Sequence, residues 1–326
     1  MNQKYYSDIK NFPTQFAKGF ELAKDLKVPG EFNRIILGGM GGSSFFVELM
    51  NDYLATDASV KLKLQAVKSY NIPKNADANV LFLASSYSGN TEESLEFFDQ
   101  IIAKGFKCIA ICSGGKLEQK AIEQGVPVLK IPGGIQPRLS TGYFIAGIFK
   151  VLMNMNIIPD KTEEILAAAN TIEASLNEEQ SKEIALAIKG KVPVIYATEN
   201  NASLAQITKI KFNENSKTQA FSNFFPELNH NEMVGFTNLV MSPYFLIFQS
   251  QYTHPRNIKR IEIFKKILTE KGAPVEVIKL KGTNILEEIL MGYYLADHIT
   301  YYLADAYGID PEPVAMVEDF KKMLVS

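Results

Sequence analysis

Three aliphatic hydroxyl side chains, Ser86, Ser88 and Thr91, fall within one short run, Ser86-Tyr87-Ser88-Gly89-Asn90-Thr91. The residues before it, Asn79 to Ser85, are mostly apolar and of strand length; after it Leu95, Phe98, Ile101 and Ile102 recur at helical spacing. This pattern predicts a buried parallel strand feeding a tight turn and then a helix. The first turn of a helix holds N–H groups without intrahelical partners at the positive end of the dipole. Ser86, Ser88 and Thr91 placed there form a cradle suited to an anion such as phosphate. The run contains no lysine. A local reading competes: Thr91 caps the helix, and Ser86 and Ser88 serve the turn.

Other residue types capable of chemistry lie elsewhere. Gly38-Gly39-Met40-Gly41-Gly42-Ser43-Ser44 follows the short apolar strand Arg34 to Gly38, and such a turn lets backbone N–H groups approach a ligand closely. It is a poor dinucleotide fingerprint. Ser44 stands where a third glycine belongs, the next strand (about Leu62 to Val67) ends in Lys68 rather than an acid, and no Walker lysine follows. A sugar- or phosphate-facing turn and a purely structural turn remain as readings. Arg138 follows Pro137 at the start of an apolar helix, Leu139 to about Asn156. The dipole disfavours a cation there, so the arginine has either an anionic partner or solvent.

Glu214 continues the apolar stripe of Ile207 and Ile210, which aims a carboxylate along a buried face. Burial would raise its pKa and fit it for general base work; the alternative is an ion pair with Lys211 or Lys217. His230 sits in Phe224-Phe-Pro-Glu-Leu-Asn-His-Asn-Glu232, among carboxylates and amides able to orient it, although a loop histidine is often incidental. His254 and His298 read as structural. No histidine has a Cys or His neighbour at ligand spacing, so no zinc site is expected.

The framework that positions these groups is legible in outline. A chain of 326 residues suits about two domains. With 46% hydrophobic and 21% charged residues it reads as a soluble globular protein, and 34 basic against 36 acidic residues give no reason to expect nucleic acid or a membrane as partner. Met1 to Lys10 lacks the apolar core of a signal peptide and no apolar run reaches membrane length, so the expected location is cytoplasmic. Cys108 and Cys112 lie on one expected strand, roughly 13 Å apart and too far for a bridge. Strands are expected at Asn79 to Ser85, Lys107 to Cys112 and Val126 to Ile131, with helices between them and one or two helices ahead of them in Tyr5 to Leu26. After an expected linker at Ile157 to Lys161, alternation restarts with strands at Val192 to Ala197, Tyr244 to Gln249 and Pro274 to Leu280. The fold class is therefore α/β, with two doubly wound parallel sheets and covering helices, in domains 1–157 and 158–326. Ile285 to Tyr307 is a helix whose tyrosines suit core or a subunit interface. Val314 to Leu324 is a last short helix bearing Lys321 and Lys322.

Four segments, taken in order, resemble the phosphoglucose/phosphomannose isomerase family, which is built from tandem sugar isomerase (SIS) domains. They are Gly39-Met-Gly-Gly-Ser43, Ser86-Tyr-Ser-Gly-Asn-Thr91, Asn213-Glu-Asn215 with Pro226-Glu-Leu-Asn-His-Asn-Glu232, and Asp310-Pro-Glu-Pro-Val314 with the helix after it. The serine loop is generic to SIS domains; the third segment is specific. The resemblance implies an aldose–ketose isomerase acting on glucose 6-phosphate or mannose 6-phosphate and fructose 6-phosphate, without metal or redox cofactor. It implies that Ser43, Ser86, Ser88 and Thr91 hold the phosphate, with Gly41 and Gly42 in the substrate loop. By the same resemblance Glu214 is the base, Arg138 steadies the enediolate, and His230 and Lys321 assist ring opening. It further implies a homodimer whose histidine reaches the other subunit's site. Ser44 departs from the family's usual glycine. Another phosphosugar isomerase and a non-catalytic sugar-phosphate sensor are the competing expectations.

Overall fold

The computed structural model describes residues 2–324. The chain opens with α1 (Gln3–Lys10) and α2 (Thr14–Leu22). The first sheet and its helices follow: β1 (Arg34–Gly38), α3 (Phe46–Leu54), β2 (Leu64–Val67), β3 (Val80–Ser85), α4 (Glu92–Ala103), β4 (Lys107–Cys112), α5 (Gly115–Glu123), β5 (Val128–Lys130), α6 (Thr141–Asn154) and α7 (Thr162–Ser175). All strand pairs in it are parallel, in the order β2-β1-β3-β4-β5. Ile35, Ile36 and Leu37 of β1 and every residue of β3 are buried, as expected where helices cover both faces of a parallel sheet. On one face Phe82 meets Phe97 edge-on at 5.8 Å, within a cluster that also holds Cys108 and Cys112. Both cysteines are free thiols, and burial pushes that of Cys108 up to about 12.

A second sheet is assembled from α8 (Glu178–Ile188), β6 (Val192–Thr198), α9 (Ala202–Glu214), β7 (Phe221–Phe225), β8 (Pro243–Gln249), α10 (Pro255–Glu270), β9 (Val275–Lys279), α11 (Ile285–Tyr307) and α12 (Ala315–Leu324). Its order is β7-β6-β8-β9, again all parallel. Tyr196, Phe225, Phe245 and Phe264 pack with ring centroids 5.2–6.0 Å apart at its core. In both sheets the first strand has its second strand on one side and its third on the other. Such a reversal, at the carboxyl ends of β1 and β3 and likewise of β6 and β8, is where open parallel α/β sheets generally bind ligands.

Two compact units result. One runs from Lys10 to Ala174; the other takes in the chain up to Ile9 and from Ser175 onward. This differs in two places from a boundary at 157/158. The expected linker is tied into the earlier unit, since Ile158 is buried and Lys161 pairs with Asp57 at 2.6 Å. At the other end α1 was expected to pack on the domain that follows it, but it belongs with the later unit: Tyr6 stacks on Tyr301 at 4.9 Å. Strand β7 escaped the sequence reading because it is an edge strand with two exposed phenylalanines, Phe221 and Phe224, around Ser222 and Asn223. For the tyrosines of α11 the structure chooses between core and subunit interface. Tyr293, Tyr294, Tyr301 and Tyr302 are all buried within the chain, so these four belong to the core.

Candidate active site

Strand register sets the phosphate-type loop. Gly38 of β1 lies opposite Ala84 of β3, so the glycine-rich turn and the serine loop leave adjacent strands at the same level. They are stitched together: Ser43 Oγ accepts from the Tyr87 N–H at 2.8 Å, and the Ser43 carbonyl accepts from Ser85 Oγ at 2.8 Å. Ser86 Oγ donates to Thr91 Oγ1 at 2.9 Å, and Ser88 Oγ accepts from the Asn90 N–H at 3.2 Å. Thr91 is the N-cap residue of α4, yet its side chain makes no capping bond. The local capping reading therefore does not describe this hydroxyl, which faces Ser86. Ser43 and Ser86 are buried, Thr91 is half-buried and Ser88 is exposed, so the hydroxyls run from the sheet end outward. Gly89 permits this turn: its φ is +67°, and a Cβ there would lie 1.8 Å from the Gly114 carbonyl oxygen.

Arg138 joins the same loops. It occupies a 3-10 turn, Pro137–Leu139, ahead of α6, and is 3% exposed. The solvent-exposed reading of this arginine is thus overturned. One guanidinium N–H donates to Gln136 Oε1 at 3.1 Å. Gly42 abuts it so closely that a Cβ would come within 2.9 Å of the Arg138 nitrogen, while Gly41 takes φ +50°. A fixed, buried cation beside a hydroxyl loop is an arrangement able to stabilise a developing oxyanion.

In the other unit Glu214 is the last residue of α9. Ile207 is buried while Ile210 and Glu214 are half-buried, so the stripe emerges from the core as it reaches the carboxylate. Lys211 forms a buried ion pair with Asp297 at 2.5 Å, and Lys217 Nζ donates to the main-chain carbonyls of Glu214 and Pro311. His230 follows a 3-10 turn, Glu227–Asn229, in the connection from β7 to β8, and it is exposed. The carboxylates expected to orient it have other engagements. Glu232 accepts from the Tyr196 hydroxyl and from Asn223 Nδ2, and Glu227 accepts from Asn231 Nδ2 at 2.6 Å.

Residues 177–324 match the family described as bacterial phospho-glucose isomerase C-terminal SIS domain. Over its length the chain is 34% identical to the bifunctional phosphoglucose/phosphomannose isomerase of Aquifex aeolicus, covering 99% of this chain and 98% of that one. The chain belongs to the bifunctional phosphoglucose/phosphomannose isomerase family. The family's protein from Thermoplasma acidophilum is 36% identical over 90% of this chain and 91% of its own. The C-terminal domain of glucosamine-fructose-6-phosphate aminotransferase from Francisella tularensis shares the fold, with a TM-score of 0.73 over 96% of this chain and 99% of that one at 14% identity. Both sheets of this family member are thus SIS-type α/β domains.

Ser44, the departure from the family's usual glycine, is fully buried, with its hydroxyl directed at the Gly41 carbonyl at 3.4 Å. Lys321 and Lys322 lie on α12, a helix that buries none of its residues, and they pair with Glu318 at 2.8 Å and Asp319 at 2.9 Å. Their settings are alike, so the helix gives no physical reason to prefer one lysine. Asn215, which the sequence offered only as part of the Asn213-Glu-Asn215 segment and without a role, lies next to Glu214 in the interior. Asn215 is wholly buried at the α9 C-cap; a polar residue just past a helical stripe is the signal that could have found it.

Proposed function

We propose that this isomerase interconverts glucose 6-phosphate and mannose 6-phosphate with fructose 6-phosphate. Glu214 takes the C2 proton of the open-chain aldose, leaving an enediolate, and returns it to C1 while a hydroxyl proton passes from O2 to O1. Arg138 steadies the enediolate oxygen. Ser43, Ser86, Ser88 and Thr91 hold the 6-phosphate, with the Gly41 and Gly42 backbone beside it, and His230 with Lys321 assists ring opening. One observation carries this reading: a hydroxyl cradle and a half-buried helix-end carboxylate, on segments that resemble the family, occur in one chain with a buried arginine. A sensor would need the cradle but no base. Fructose 6-phosphate given to chelator-treated protein should yield both aldoses in coupled assays; neither appearing would reject the proposal.

The working unit of the proposal is a two-fold dimer in the cytoplasm, each chain lending His230 to the other's site. Among the described residues no helix is long and apolar enough to cross a membrane. His230 is exposed, and Phe221 and Phe224, 54% and 37% exposed, lie a few residues before it, giving apolar surface for a second copy to cover. Inactive Glu214→Gln and His230→Ala chains, mixed and allowed to exchange, should then recover roughly a quarter of wild-type activity, because half the dimers are mixed and each has one intact site. No recovery with exchange shown by mass would put His230 to work in its own chain or outside the site.

A further inference from the structure

A base on the final residue of a helix is poorly placed for precision, since helix ends fray and their carbonyls lack intrahelical partners. Proton abstraction tolerates little displacement. Around Glu214 the fold supplies anchors on both sides. One turn earlier, Lys211 Nζ is clamped between Asp297 at 2.5 Å and the face of Tyr293, 3.4 Å from the ring centroid. One residue later, Asn215 is wholly buried, and its amide is held at both ends. Tyr5 of α1 donates its hydroxyl to Asn215 Oδ1 at 2.6 Å, and Asn215 Nδ2 donates to Thr300 Oγ1 of α11 at 2.9 Å. The Thr300 hydroxyl donates in turn to the Ala296 carbonyl at 2.7 Å, so it is oriented to accept from Asn215. Ser216 Oγ closes the end of the helix on the Phe212 carbonyl at 2.8 Å.

We propose that Asn215, held between Tyr5 and Thr300, is the positioning residue for Glu214, and that α1 acts on the reaction through this hydrogen-bonded relay. The proposal rests on the reading of Glu214 as the base. It gives a purpose to a buried polar chain in a place where apolar side chains would pack at lower desolvation cost. It also explains why a residue 210 positions away in sequence reaches the base-bearing helix. Asn215 touches no reacting atom in this account; it fixes the backbone from which Glu214 projects.

Tyr5→Phe removes one hydroxyl and leaves the packed ring. It should lower kcat about tenfold with KM within about twofold, at an unchanged folded fraction. Thr300→Val should behave like Tyr5→Phe, whereas Thr300→Ser, which keeps the hydroxyl, should restore wild-type kcat. If the relay acts only through the base, Tyr5→Phe introduced into Glu214→Gln should cause no further loss of the residual turnover followed by NMR exchange at C2. A folded Tyr5→Phe enzyme at full kcat, or an equal fold-loss in both backgrounds, overturns the proposal while leaving the base reading intact. A Glu214→Gln enzyme with near-normal kcat overturns the base reading and this proposal with it. Should Tyr5→Phe fail to fold, the Thr300→Ser and Thr300→Val pair decides the same question: equal kcat in the two rejects the relay.

Discussion

The loop after β3 and the loop after β8 leave equivalent strands of two parallel sheets, and they use their donors differently. After β3, Ser86 Oγ donates to Thr91 and Ser88 Oγ accepts from the Asn90 N–H within the loop, Ser43 of the turn after β1 accepts from the Tyr87 N–H, and the hydroxyls grade from buried Ser43 and Ser86 to exposed Ser88. After β8, Ser250 Oγ donates to the Glu288 carboxylate of α11, and the Gln251 N–H donates to the same group at 3.0 Å. Glu288 is fully buried; desolvation pushes its pKa up, while the bonds from Ser250 and Gln251 pull it back. Helix α11 thus supplies a buried carboxyl group to the strand-end loop of the second sheet. A position at the carboxyl edge of a parallel sheet provides a donor-rich loop, but whether that loop becomes a site depends on what the rest of the chain places against it. In the proposed enzyme this separates labour: the first sheet grips phosphate, and the second carries the base.

The largest expected effect tests that division. Glu214→Gln keeps the shape but cannot accept a proton, so kcat should fall about 10²–10⁴-fold with KM little changed. Near-normal turnover would leave the second sheet without a catalytic part. Next, Ser88→Ala with Thr91→Val should act mainly on KM, each hydrogen bond to a charged phosphate contributing about 1.5–3 kcal/mol. Substrate-saturation curves unchanged in the double variant would move the grip away from this loop. The smallest effect sharpens the contrast between the loops. Glu288→Gln should cost about 1–3 kcal/mol of stability, read in denaturant unfolding, because the amide cannot accept from both the buried Ser250 hydroxyl and the Gln251 N–H as the carboxylate does. Both kcat and KM should stay at wild-type values; a raised KM would mean that the second loop serves the substrate after all.

Much of the framework was readable before any coordinates. Lys107 to Cys112 and Ile285 to Tyr307 begin and end where apolar periodicity and flanking breakers put them. Edge strand β7 was not readable, because with one neighbour it is free to expose Phe221 and Phe224 and so blurs the alternation that marks a strand. The cradle was readable as a strand–turn–helix with three hydroxyls. That Ser43 bonds across to Tyr87 was not, since the two residues meet only through the pairing of β1 with β3.

Sequence alone determined the α/β class, the donor-rich loops and the residue types available for acid–base chemistry, because each follows from spacing along a few turns of chain. Tertiary structure decided which polar residues are buried. Arg138 is enclosed because Gly42 lets a neighbouring loop come within contact of its backbone. Asn215 is enclosed because Tyr5 and Thr300, from opposite ends of the chain, satisfy its amide. A polar group enters the interior only where partners meet its hydrogen bonds, and those partners are brought together by the fold rather than by adjacency in sequence.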